Sequence, residues 1–286
     1  MKTTQIKELL EKAQLDWTVS THQIETVDTR IEIPKRLAVI RDDDDTFLGM
    51  VSPQYEVFQN EELMELLVKI SASTGLTLHS GGYFKGGKKV YIQLKSSDWT
   101  LPDGDQIKGH LTGLNSHDGT RSLAFGNWMH TVSCQNTWYM AYRELETRVR
   151  HHTSVLRPKI EEVLRQVDEA LNNEKKIIED VTRMQTYEID EAIQLQVIAK
   201  WFDLHFVDDH IEDIPKSTLL RMVQLNEIME MEMQEKGQTA WGAFSGVTKF
   251  TTHILKKGKD TTEDKLFGDI GTREKRMYDY LLQEVK

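Results

Sequence analysis

Cysteine is almost absent from this chain: Cys134 is the only one in 286 residues. An intrachain disulfide is thereby excluded, and so is a zinc site built on paired cysteines. A lone thiol suits a reducing compartment, and the cytoplasm is the expected location. Long apolar runs are missing as well. No window approaches the roughly 20 apolar residues that a membrane-spanning helix needs. The opening stretch, MKTTQIKELLEKAQLDW, has neither the continuous apolar run nor the small-residue cleavage site of a secretory signal. Net positive charge is lacking too. With 36 Lys and Arg against 46 Asp and Glu the chain carries -10, which argues against coating nucleic acid with the whole surface. Proline is scarce, at five residues, and no internal repeat or low-complexity tract is present.

What is there suffices for a core: 38% of residues are hydrophobic, at a mean hydropathy of -0.51. Residues 3–15 carry Ile6, Leu9, Leu10 and Ala13 at helical spacing. Residues 36–41 (RLAVIR) and 46–51 (TFLGMV) read as strands. The four aspartates between them, Asp42 to Asp45, read as a solvated hairpin turn rather than a cation site. Asn60 is expected to cap a helix that carries Leu63, Leu66, Leu67 and Ile70 and stops at Gly75. Residues 88–95 (KKVYIQLK) alternate, with Val90, Ile92 and Leu94 on one face. Pro102-Asp103-Gly104 and Ser116-His117-Asp118-Gly119 are turn signals on either side of a strand at 107–114. Residues 121–125 and 128–134 read as further strand. A helix is expected from about Asn136, carrying Trp138, Tyr142, Leu145 and Val149.

Beyond Pro158 the period changes. Ile160, Val163, Val167, Ala170, Ile177, Val181 and Met184 alternate spacings of three and four, with Glu174 as the only interruption. Such a heptad indicates a long helix packed on another helix, and would support self-association into a homo-oligomer. Ile189, Ile193, Val197, Trp201 and Leu204 form a second helical stripe. A third helix, capped by Ser217 or Thr218 after Pro215, runs to Gly237 and holds Met222, Met229, Met231 and Met233. In residues 239–255, Gly242, Ala243, Ser245 and Gly246 would permit close backbone approach. A last amphipathic helix begins near Thr272. These patterns predict an α+β fold: an antiparallel sheet with packed helices, then a long helical hairpin or bundle region. The expected divisions are 1–152 as the α+β core, 153–236 as the long-helix region and 237–286 as C-terminal helices that pack back on the core.

Residues 80–152 hold nine Lys and Arg against six Asp and Glu, so the positive half of the charge asymmetry falls in the strand-rich segment. Within it, Gly81-Gly82-Tyr83-Phe84-Lys85-Gly86-Gly87-Lys88-Lys89 has the composition of a phosphate-cradling loop. It lacks the Ser or Thr and the helix that must follow the lysine in a nucleotide-hydrolysing loop. It reads instead as a glycine-rich hairpin whose lysines can meet phosphates and whose rings can stack on unpaired bases. The bland alternative is an ordinary hairpin with solvated lysines. His117 beside Asp118 reads as a tight turn rather than part of a triad. The spacings of His110, His117, His130 and Cys134 match no zinc pattern. Cys134 itself reads as a buried strand residue. Arg143, Arg148 and Arg150, with His151 and His152, would form either a basic ridge or a solvated last helical turn. With no catalytic motif, the expectation is a binding protein rather than an enzyme, without cofactor or metal.

Three groups of stretches carry a resemblance. They are Leu48-Gly49-Met50-Val51 with Tyr55-Glu56-Val57-Phe58-Gln59-Asn60; Leu114-Asn115-Ser116-His117-Asp118-Gly119-Thr120 with Val132-Ser133-Cys134-Gln135-Asn136-Thr137; and Thr239-Ala240-Trp241 with Val247-Thr248. In order and wording they resemble the phage- and plasmid-encoded family of unknown function known as phage/plasmid-like protein, over about residues 36–255. That resemblance implies a bacterial host cytoplasm and leaves the activity open. The order strand, hairpin, strand, helix also looks like the core of phage single-strand annealing proteins, which hold a DNA backbone between sheet and helix and oligomerise. The expectation is therefore a mobile-element protein that binds single-stranded nucleic acid in recombination or replication. Lys85, Lys88, Lys89, Arg121, Arg143, Arg148 and Arg150 would meet phosphate, and Tyr83, Phe84 or Trp128 would stack. The alternative is an acidic factor that engages a host protein through its helical half.

Overall fold

The computed structural model describes residues 3–121, 123–132, 135–140, 160–204, 214–256 and 259–285. The fold is α+β with antiparallel sheets. Helix α1 (Thr3–Ala13) precedes a three-stranded sheet, β1 (Val19–Glu25), β2 (Glu32–Arg41) and β3 (Phe47–Val51), in the order β1-β2-β3. Helix α2 (Asn60–Thr74) leads into a five-stranded sheet of β4 (Thr77–Phe84), β5 (Lys89–Thr100), β6 (Gln106–Ser116), β7 (Ala124–Thr131) and β8 (Thr137–Met140), in chain order. Helices α3 (Ile160–Thr186), α4 (Glu191–Trp201), α5 (Lys216–Lys236), α6 (Ala240–Lys249), α7 (Thr262–Phe267) and α8 (Asp269–Glu284) complete the described chain.

The described contacts divide into two compact units, each drawn from three stretches. One comprises Met1–Ser97, His110–Asn127 and Ala141–Asn172; the other comprises Asp98–Gly109, Trp128–Met140 and Asn173–Lys286. In the first, the alternation of β5 puts Val90, Ile92 and Leu94 into the core with Leu63, Leu67 and Ile70 of α2. Burying each such side chain stabilises by about 1.5–3 kcal/mol. Gly75 ends α2 in the left-handed region, at φ 78°, as its position suggested. The cap at the other end is Gln59, not Asn60. The Glu62 carboxylate accepts the Gln59 N–H (2.9 Å), while the Gln59 side chain exchanges hydrogen bonds with Val19 of β1. Asn60 is thereby left for a different task, described below.

In the second unit, residues 137–140 form strand β8 rather than the start of the expected helix. Thr, Trp and Tyr favour a pleated strand, and Trp138 is fully buried there against Trp241 and Phe244, with centroids at 5.7 and 5.8 Å. Tyr142, Leu145 and Val149 lie outside the described residues. The heptad seam of α3 is buried as expected, at Val167 and Ala170 of the first unit and at Ile177, Val181 and Met184 of the second. Glu174, its one polar member, accepts the indole N–H of Trp99 (2.9 Å). Helix α5 begins one or two residues before the expected cap, directly after Pro215.

The small residues of α6 do what their size allows. A Cβ on Gly246 would lie 2.5 Å from the Met229 Cα of α5, and one on Gly242 would lie 2.4 Å from the Gly237 carbonyl oxygen. Backbone faces backbone here. Gly246→Ala is therefore expected to lower stability by about 1–3 kcal/mol through overpacking, read from the urea midpoint. An unchanged midpoint would show that the helices separate without cost.

Candidate functional site

Three turns of the first unit are knitted together by buried polar side chains. At the centre stands Trp17, just after α1, whose indole N–H donates to the Gln14 carbonyl (2.9 Å). The Arg41 guanidinium lies over its ring at 4.5 Å, Tyr83 meets it edge-on at 5.8 Å, and His117 packs at 5.5 Å. A Cβ on Gly87 would stand 2.7 Å from that indole, and Gly87 has φ 106°, so glycine is required there for both space and conformation. The glycine-rich segment is thus strand β4 and a tight turn fastened to Trp17.

Arg41 is held by Asp43 through two hydrogen bonds, Nε to Oδ1 (2.6 Å) and Nη2 to Oδ2 (2.7 Å). The Asp43 carboxylate raises the Arg41 pKa further above its ordinary range, and the guanidinium in turn lowers that of Asp43. Residues 42–45 form the β2–β3 hairpin turn. Asp42 accepts the hydroxyls of Thr18 (2.6 Å) and Ser20 (2.5 Å), and Asp44 accepts the Thr46 N–H (3.0 Å). This turn lies beside the glycine-rich one: Arg41 Nη1 donates to the Gly86 carbonyl (3.4 Å).

The third turn is Asn115-Ser116-His117-Asp118-Gly119. Its first three residues are fully buried or nearly so. The Asn60 amide nitrogen donates to the Leu15 and Trp17 carbonyls (3.2 Å each), so its oxygen faces His117 Nε2 at 2.9 Å, and Nε2 carries the proton. The Tyr55 hydroxyl donates to the Ser116 carbonyl (3.2 Å), and burial raises its pKa well above the ordinary tyrosine value. Asn115 Nδ2 donates to the Phe58 carbonyl (2.9 Å). A Cβ on Gly49 would lie 2.9 Å from the Asp118 Cα. The stretches 48–51, 55–60 and 114–120, far apart in sequence, are therefore one knot, and its buried polar groups specify a single arrangement.

His117 and Asp118 engage different partners. Burial alone would raise the Asp118 carboxyl, but hydrogen bonds from Ser116 and Thr120 and the charge of Lys89 hold it below the ordinary range. The linkage sign follows: a depressed folded pKa gives a contribution present above the unfolded value near 3.8 and lost as pH falls through the folded one. Asp118→Asn is expected to cost about 1–2 kcal/mol at pH 7 and to flatten the acid limb of a urea stability profile below that value. An acid limb identical to the wild type would remove Asp118 from the knot's energetics.

The turn also positions cations. The His117 N–H donates to the Lys88 carbonyl (2.8 Å) and the Arg121 N–H to Ser116 Oγ (3.3 Å). The turn that carries Lys85, Lys88 and Lys89 accordingly lies beside the turn that carries Arg121. The rings fare differently from expectation. Tyr83 is covered by Trp17 and by Arg41, whose guanidinium stands 5.1 Å from its centroid. Phe84 stacks on Tyr91 at 5.4 Å. Trp128, in the second unit, is only 7% exposed, so its ring is packing material and not an open stacking face. The ring that does face outward is Phe47, 49% exposed with the Lys88 ammonium 5.9 Å from its centroid. Strand β3 carries no regular alternation to signal it, since Leu48 and Val51 are buried while Phe47 and Met50 are exposed. Arg143, Arg148, Arg150, His151, His152 and Cys134 lie outside the described residues. Among the described residues no group of three or more His, Cys, Asp or Glu is placed to hold a metal ion, and no helix is long and apolar enough to cross a membrane.

Fold and site define an α+β protein whose chief constellation is a buried hydrogen-bonded knot that carries a mixed-charge edge. The chain belongs to the family described as Domain of unknown function (DUF932), whose model matches residues 47–279. No curated protein and no solved structure matches it.

Proposed function

We propose that this protein binds an unpaired nucleic-acid strand, in the recombination or replication of a mobile genetic element, and performs no bond chemistry. The observation that carries the reading is the hydrogen bond from the His117 N–H to the Lys88 carbonyl, which couples the 85–89 turn, with Lys85, Lys88 and Lys89, to the 116–121 turn, with Arg121. Phosphates would meet these cations, and a base would stack on Phe47 beside Lys88. The resemblance to phage/plasmid-like proteins supports the mobile-element part of this reading. The neighbouring aspartates set its strength. Each exposed carboxylate at about 8 Å from a phosphate costs about 0.5 kcal/mol in water at low salt, so affinity is modest.

Two variants test this by fluorescence anisotropy with a labelled oligothymidylate at low salt. The Lys85→Ala/Lys88→Ala/Lys89→Ala protein is expected to bind at least about tenfold more weakly, and Asp44→Asn/Asp45→Asn about fivefold more tightly. Equal binding by wild type and triple variant overturns the proposal. A second reading, an acidic factor that engages a protein partner through its helical half, is favoured by the cleft between α4 and α5.

A further inference from the structure

Helices α4 and α5 diverge enough to leave an open cleft of about 630 Å³ within the second unit. Its floor carries Ile198 and Met233, with a polar bridge in which Gln194 Nε2 donates to Asn226 Oδ1 (2.8 Å) and Asn226 Nδ2 to Glu230 Oε1 (2.7 Å). Its rim is apolar and solvent-facing: Leu195 of α4 is 54% exposed and Val223 of α5 is 55% exposed. The apolar surface continues along α5 past the cleft. Leu219, Leu220, Val223 and Met231 are all exposed, and Val223 among them lines the cleft. Leu225, Ile228 and Met229 are buried, and α6 approaches Met229. At 1.5 Å per residue, positions 219 to 231 extend about 18 Å.

Length and charge together choose the occupant. A compact small molecule would fill the cleft and leave the rest of an 18 Å stripe bare. An α-helix of three to four turns covers both, inserting side chains at i, i+3 or i+4, and i+7. The charged residues that line the cleft, Glu191 and Glu230, are both acidic. Glu227, also exposed, sits between Val223 and Met231 along the helix. Of the cations on these two helices, the Lys200 ammonium lies over the Tyr280 ring at 4.7 Å and Lys236 pairs with Asp105 at 2.6 Å, while Lys216 and Arg221 of α5 do not line the cleft.

The geometry points to the α4–α5 cleft as a docking groove for a basic amphipathic helix of a protein partner. This gives the second reading its partner class and does not depend on nucleic-acid binding. The groove takes the partner's apolar face, and Glu191, Glu227 and Glu230 attract the Lys or Arg residues that flank that face. The affinity expected of such a groove is micromolar, because the exposed stripe is short and its ion pairs are solvated.

The test uses the full chain and a fluorescein-labelled 18-residue peptide with leucine at i, i+3, i+4 and i+7 and lysine elsewhere. The wild type is expected to bind it, and Leu195→Glu/Val223→Glu to bind at least tenfold more weakly. Both substituted residues are more than half exposed, so an unchanged far-ultraviolet spectrum and melting temperature are expected for that variant. Glu227→Lys/Glu230→Lys should weaken binding as well. A composition-matched scrambled peptide, without an apolar face, should bind at least tenfold more weakly to the wild type. Equal binding of the two peptides shows charge attraction alone and overturns the proposal, as does full affinity in Leu195→Glu/Val223→Glu. Sedimentation supplies a further outcome: a wild-type dimer that Val223→Glu dissociates places a second copy of this chain on the groove, and also overturns it. None of these results bears on oligothymidylate binding, so failure here leaves the proposal above standing, and the reverse.

Discussion

Glu274→Leu is expected to remove about 3–5 kcal/mol of stability, because it strands a buried ammonium. Lys265 and Glu274 are both fully buried in the second unit, with Nζ 2.8 Å from Oε1. The ammonium also donates to the Thr137 carbonyl and to Thr252 Oγ1, and the Thr251 hydroxyl donates to the Glu274 carboxylate. Thr251 and Thr252 belong to the π-helical turn Phe250–Ile254 that continues α6. An inserted residue of this kind reorients side chains locally, and here two threonines reach the pair. Burial lowers the Lys265 pKa and raises that of Glu274, against their mutual attraction. Removing one partner leaves the other desolvated and unpaired. In Glu274→Leu the lysine sheds its proton at lower pH than in the unfolded chain. Folding stability of that variant should therefore climb as pH rises toward the ordinary lysine value of 10.5. The double variant Lys265→Met/Glu274→Leu should recover most of the loss or exceed the wild type. Urea unfolding of the three proteins from pH 6 to 10 reads all of this. A single variant as stable as the wild type would show that water reaches the pair.

Asn60→Ala comes next, at about 3 kcal/mol. It leaves the Leu15 and Trp17 carbonyls and His117 Nε2–H without the amide that satisfies them. Each orphaned buried group costs about 1–3 kcal/mol, partly relieved by water. His117→Ala should cost a similar amount through its cavity and the abandoned Asn60 oxygen. The two should couple by about 1–2 kcal/mol in a double-mutant cycle, since they share one bond. Both should also weaken oligonucleotide binding, because the knot is what brings the 85–89 and 116–121 turns together. A coupling near zero would mean that the knot is not one cooperative object.

Much of the fold was readable where period and turn chemistry agree. The β5 alternation, the aspartate hairpin at 42–45, Gly75 as a helix stop and the small-residue face of α6 all stand as expected. Strand β1 was not readable. Of VSTHQIE only Val19 is buried, because the rest is a solvated edge held by pairing with β2. Strand β8 was misread because Trp138 and the aromatic positions after it mimic helical spacing. The site was legible in part. The lysines and Arg121 were singled out from composition. The aspartates at their side were not set against them, since that proximity is tertiary. Asn60 looked like a cap and His117 like a turn residue, and burial of both follows from contacts 57 positions apart. Phe47 was hidden for the opposite reason: a strand aromatic reads as core until its face is known.

The most direct measurement of nucleic-acid binding by the described edge is the salt dependence of oligothymidylate affinity. Three to four cations that neutralise phosphates on a single strand give a slope of log K against log salt of about −2 to −3. The wild type is expected to fall in that range, and the triple lysine variant to approach −1 or shallower. A slope of zero, or the same slope in both proteins, would contradict binding at Lys85, Lys88 and Lys89.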